Sequence, residues 1–76
     1  MLKVKEEVTK ETLRNFGYKT RSPAIMEKSF GALTVYIDLG TRIITGCGFY
    51  PVGDRIVLEY IKPLIDKNLV AQEIAT

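Results

Sequence analysis

The chain's one thiol, Cys47, stands between Gly46 and Gly48, where a nucleophile with an open approach would be sought. A reactive thiolate needs a cation or a helix N-terminus beside it to lower its pKa, and neither adjoins Cys47 in sequence. Cys47 is therefore expected to be a buried structural thiol, because free cysteine behaves as a small apolar residue. Histidine is absent, which removes the commonest general base at neutral pH and the commonest metal ligand together. Cys/His and Ser/His/Asp nucleophiles are excluded. The carboxylates show no Asp-x-Asp spacing and there is no Cys-x-x-Cys pair, so no metal site is expected and no catalytic residue is assigned. Pro51 stands where a dinucleotide fingerprint would need a third glycine, and no Gly-Lys-Ser/Thr follows. No cofactor is expected, and the chain reads as a non-enzyme.

Binding chemistry has better material. Lys10, Arg14, Lys19 and Arg21 form a basic strip interleaved with Phe16 and Tyr18. Lys19 and Arg21 fall just past a helix end, where phosphate contact is possible, and Arg42 is a further candidate. The competing reading is a solvated face whose cations also favour the helix dipole. Net charge is only +2, with seven Lys/Arg against four Asp/Glu over residues 1–28 and three against four over residues 54–76. That asymmetry permits an anionic partner without requiring one.

The second candidate is a surface. Thr34 and Tyr36 share the outward side of a strand with almost no charge to keep it wet, which suits a docking surface for a protein partner or a second copy of the chain. Alternatively Leu69, Val70 and Ile74 fold over that side. Gly46 and Gly48 leave a shallow lane on the next strand, open to a partner or to a helix of the same chain.

These residues need elements to position them. Thr9 is placed to cap a helix over Lys10 to Phe16, flanked by Val8 and Leu13 at the staple positions and ended by Gly17, with Tyr18 folding back on Leu13. Leu2 to Lys5 is either a short edge strand or an early turn of that helix. Ala24 to Phe30 reads as a weak strand and Gly31 as a turn. Leu33 to Asp38 alternates cleanly, with Leu33, Val35 and Ile37 inward. The next strand runs from about Arg42 to Phe49. A three-residue turn with Gly40 at positive φ and a two-residue Gly40-Thr41 turn differ by one residue in register, and so in whether Ile43 or Ile44 reaches the core. Asp54 then caps a helix from Arg55 to about Lys67, carrying Ile56/Val57, Tyr60/Ile61 and Leu64/Ile65 as an apolar stripe, kinked or divided at Pro63. The rival reading makes Ile56 to Ile61 a fourth strand and starts the helix at Pro63.

The expected fold is a small single α+β domain over residues 1–76: an N-terminal helix, a three-stranded antiparallel sheet and a C-terminal helix. With 76 residues and 46% hydrophobic content, the chain is near the lower end of what one apolar core can stabilise. Leu33 to Gly40 leading to Gly46-Cys47-Gly48 resembles the layout of double-stranded RNA-binding domains and of HicA-type ribonuclease toxins. Where the RNA-binding family continues with paired lysines this chain has Phe49-Tyr50-Pro51-Val52, and it lacks the histidine that HicA-type catalysis uses. The resemblance is one of topology and carries no functional residue. A single cysteine, no secretory signal and no apolar run long enough to span a bilayer give a cytoplasmic location as the expectation. The function expected is a non-catalytic interaction or regulatory module, with nucleic-acid binding as the alternative.

Overall fold

The computed structural model describes residues 1–49 and 52–72. Its elements in chain order are β1 (Leu2–Val4), α1 (Lys10–Arg14), β2 (Lys19–Thr20), β3 (Ile25–Ser29), β4 (Leu33–Asp38), β5 (Ile43–Gly48), α2 (Asp54–Tyr60), α3 (Lys62–Asp66) and β6 (Val70–Gln72). The class is α+β, as expected, but the sheet has six strands in the order β2-β3-β4-β5-β1-β6, all neighbours antiparallel. Three short strands widen the expected three-stranded sheet. The Leu2–Val4 segment is a strand, and it lies between β5 and β6 instead of at an edge.

Local chemistry accounts for the ends of these elements. The Thr9 side chain accepts from the Thr12 amide (3.2 Å) while Thr12 Oγ1 accepts from the Thr9 amide (3.3 Å), a reciprocal cap. α1 ends at Arg14 with Asn15 as its C-cap, two residues before the expected Phe16, and the chain leaves it through Gly17 at φ 92°, with the Tyr18 amide donating to the Leu13 carbonyl (3.0 Å). Gly53 caps α2, where Asp54 was expected to do so; Asp54 is the first helical residue, and no side chain caps that end. The predicted long helix is divided at Ile61, so that Pro63 falls in the first turn of α3, where its missing N–H costs nothing. Ile56 to Ile61 is not a strand. Asn68 at φ 60° ends α3 and turns the chain into β6, with the Leu69 amide donating to the Leu64 carbonyl (3.0 Å).

The β4–β5 hairpin settles the register question. Ile37 pairs with Ile44, and Ile44 is buried while Ile43 is on the other side. That is the register of the two-residue turn, reached by a four-residue loop over Leu39 to Arg42. Asp38 Oδ1 accepts from the Gly40 amide (2.8 Å) and the Thr41 amide (3.3 Å), holding the loop in an Asx turn. The residue at positive φ is Arg42 (φ 68°), where Gly40 was expected. Arg42 Nη1 donates to the carbonyls of Val8 (2.5 Å) and Lys5 (3.3 Å), so the strained position is held by ties to the β1–α1 connection.

The core lies on one face of the sheet. Leu2, Val4, Met26, Leu33, Val35, Ile37 and Ile44 from the strands meet Leu13 of α1, Val57 of α2, Leu64 of α3 and the linking Ile61 in a single buried cluster with Val8 and Tyr18. Burial pushes the Tyr18 hydroxyl up to about 12. All three helices pack on this face. Among the described residues no helix is long and apolar enough to cross a membrane.

Candidate interaction surface

The alternation that buries one side of each strand presents the other side as a continuous outer face. On β4 it carries Thr34, Tyr36 and Asp38, and on β5 it carries Ile43, Thr45 and Cys47. Ile25, Glu27 and Ser29 of β3 and Lys3 of β1 continue it sideways. Ile25, Tyr36, Ile43, Asp38, Thr41 and Thr45 line a shallow depression of about 460 Å³ at the end of this face beside the β4–β5 loop. The floor is two isoleucines and an aromatic ring, an apolar patch on a surface otherwise rimmed by polar groups.

No described segment of the chain covers this face. Val70 pairs with Val4 and packs with Leu69 against the core on the opposite side, so neither folds over Thr34 and Tyr36. Ile74, the third residue of that alternative, lies outside the described residues. Arg21 lies over Tyr36, its guanidinium carbon 5.3 Å from the ring centroid and its Nη1 3.2 Å from Glu27 Oε2.

The glycine lane points the other way. A Cβ on Gly46 would stand 2.7 Å from Val57 Cγ2 and 3.0 Å from Val52 Cγ1, and one on Gly48 would stand 2.8 Å from the Ala32 carbonyl oxygen. The lane is filled by α2 and its approach, the within-chain use of such a gap. Cys47 is on the outer face and exposed, contrary to the buried thiol expected. The glycines flanking it face the core, and the parity of the strand turns Cys47 outward opposite Thr34.

The five candidate phosphate contacts do not form one strip. Lys10 and Arg14 sit on α1 in the helical layer, with Arg14 Nη2 donating to Thr20 Oγ1 (3.4 Å). Lys19 and Arg21 reach the outer face beside β3. Arg42 is committed to the Val8 and Lys5 carbonyls. Helix α1 has only five residues, so residues 10 and 21 end up in different layers.

Sequence reasoning missed Ile25 and Ile43 as walls of the depression, because β3 was a weak strand and the register left Ile43 undecided. Among the described residues no group of three or more Cys, Asp or Glu side chains is placed to hold a metal ion.

A smaller apolar groove of about 230 Å³ lies at the sheet end beside α2, walled by Ala32, Phe49, Val52, Ile56 and Tyr60. Phe49 is 88% exposed there.

Comparison with known proteins finds no matching family model, no curated protein with significant similarity and no solved structure with a significantly similar fold. The functional reading therefore rests on the geometry of this chain.

Proposed function

We propose that this chain is a non-catalytic interaction module that docks a protein partner, or a second copy of itself, on the outer face of its sheet. The observation that carries the reading is the depression beside the β4–β5 loop, left uncovered by the described residues, with Tyr36 on its floor and Arg21 above the ring. Tyrosine and arginine are the residue types that most often dominate protein interfaces when they sit together near the centre of a patch. A face that left Ile25, Ile43 and Tyr36 only half-buried in the monomer gains apolar burial when covered, at about 25 cal/mol per Å² before the costs of association.

Size supports the same reading, because a 76-residue chain has a small core and gains stability from any partner that binds only the folded state. The free thiol on the docking face fits a reducing compartment such as the cytoplasm. Tyr36→Asp places a charge in the middle of the apolar patch and leaves every core residue in place. Association that persists in that variant would remove the outer face as the interface.

A further inference from the structure

The pairing registers set five outward residues in one row across the sheet. Lys3 of β1 pairs with Ile43 on one side and with Ala71 on the other. Asp38 and Ile43 stand one step beyond the Ile37–Ile44 pair, and Asp38 pairs with Ile25 of β3. The row therefore reads Ile25, Asp38, Ile43, Lys3 and Ala71, with β5 as its middle strand. Asp38 and Lys3 lie one strand to either side of Ile43 and carry opposite charges. Neither makes an ion pair among the described residues, whose salt bridges join the Met1 amine to Asp54 and Arg21 to Glu27. The Asp38 carboxylate is held in place by the Gly40 and Thr41 amides that donate to it.

Such a row is complementary to itself. When two sheets stack face to face about a two-fold axis along one strand, that strand lies over its own copy and its two neighbours exchange places. With the axis along β5, β4 lies over the partner's β1, so Asp38 meets the partner's Lys3 and Lys3 meets the partner's Asp38. Ile43 falls on the partner's Ile43 and Ile25 on the partner's Ala71, which covers the depression beside the β4–β5 loop. Tyr36, opposite Thr45 in the next row, is covered by the start of the partner's β1. An axis along β4 would instead set Asp38 against itself, and an axis along β1 would set Lys3 against itself. Like charges facing each other across a contact from which water is removed oppose association, so charge selects the axis along β5.

We infer that the chain forms a two-fold homodimer whose sheets stack outer face to outer face about an axis along β5, with Asp38–Lys3 ion pairs on either side of Ile43. This arrangement rests on the docking face proposed above and gives that face one occupant, a second copy of the chain in a defined register.

Sedimentation equilibrium of the full chain tests it. The wild type is expected to be dimeric, and Lys3→Glu, which sets a like charge against the partner's Asp38 at two places, is expected to weaken the dimer about tenfold. Adding Asp38→Asn removes that repulsion while leaving a side-chain oxygen for the Gly40 and Thr41 amides, so Lys3→Glu/Asp38→Asn is expected to regain most of the lost association. A merely structural role for Lys3 gives no such rescue. Should Lys3→Glu fail to fold, Asp38→Asn alone carries the comparison, with a several-fold weakening expected. The native thiol supplies a second measurement: Cys47 is exposed on β5, so in the dimer the two thiols lie along the axis between sheets about 10 Å apart. A short bismaleimide is expected to join two wild-type chains through Cys47 and to leave Lys3→Glu single. A monomer at every concentration would overturn the homodimer and leave the docking face to a different protein. A dimer unaffected by Lys3→Glu but broken by Tyr36→Asp would overturn the register alone, and one unaffected by either would overturn the docking face with it.

Discussion

Arg21 lies over the Tyr36 ring at 5.3 Å while holding Glu27 at 3.2 Å, so a single side chain from the β2–β3 connection joins the edge of the outer face to its centre. An exposed cation–aromatic contact of this kind is worth about 0.5–1 kcal/mol, and more once water is removed from it. The pair is weak in the free chain and gains strength under a partner. Arg21→Ala is expected to leave the melting temperature nearly unchanged and to weaken association on the outer face several-fold. A loss of stability with no loss of association would contradict this role.

Gly46 sits under α2 with no space for a side chain. Gly46→Ala forces a Cβ to within 2.7 Å of Val57 Cγ2 and 3.1 Å of Leu33 Cδ1, and valine can yield little at its stiff χ1. Overpacking of this kind costs roughly 1–3 kcal/mol. A urea denaturation midpoint equal to that of the wild type would show that α2 does not pack on β5 in this way.

Gly46 also marks where the sequence spoke clearly and where it fell silent. The strong alternation of Leu33 to Asp38 and the Thr9 and Gly17 signals at the two ends of α1 were legible, because local sterics and capping decide them. The short strands β2 and β6 were not, since two or three residues carry no periodicity and pair only because β3 and β1 offer them an edge. The orientation of Cys47 depended on a register set by the Asp38 side chain and by Arg42 at positive φ, and neither leaves a mark in composition. Tyr36 was readable as outward-facing. Its neighbours Ile25 and Ile43 were not, because they come from strands whose register the sequence left open.

Arg42 combines an unfavourable backbone with favourable bonds. Arg42→Gly relieves the φ of 68° but loses the donors to Val8 and Lys5, while Arg42→Ala loses the donors and keeps the strain. The expected stability order is wild type, then Gly, then Ala, with each step about 1 kcal/mol. An alanine variant as stable as the glycine variant in thermal melts would remove the strain from this account.

Tyr18 ties stability to high pH. Its hydroxyl is raised to about 12 by burial, so the folded chain holds that proton after the unfolded chain has released it. The contribution is fully present below about pH 10 and is lost as pH rises from about 10 to about 12, a change on the order of 2–3 kcal/mol. Tyr18→Phe is expected to flatten this part of the stability curve, followed by denaturant titration at several pH values. An unaltered curve would mean that the hydroxyl reaches water.

Cys47 is expected to react with an aromatic disulfide reagent in the folded chain without prior unfolding, because it is exposed. Protection that disappears only in denaturant would instead restore the buried thiol.

The most direct test of the docking face is affinity capture with the wild-type chain and with Tyr36→Asp as parallel baits, run beside sedimentation of each protein alone. The account predicts that a partner, or a second copy of the chain, associates with the wild type and is lost from Tyr36→Asp, while circular dichroism shows both equally folded. The same partners and the same sedimenting mass for both proteins would contradict it.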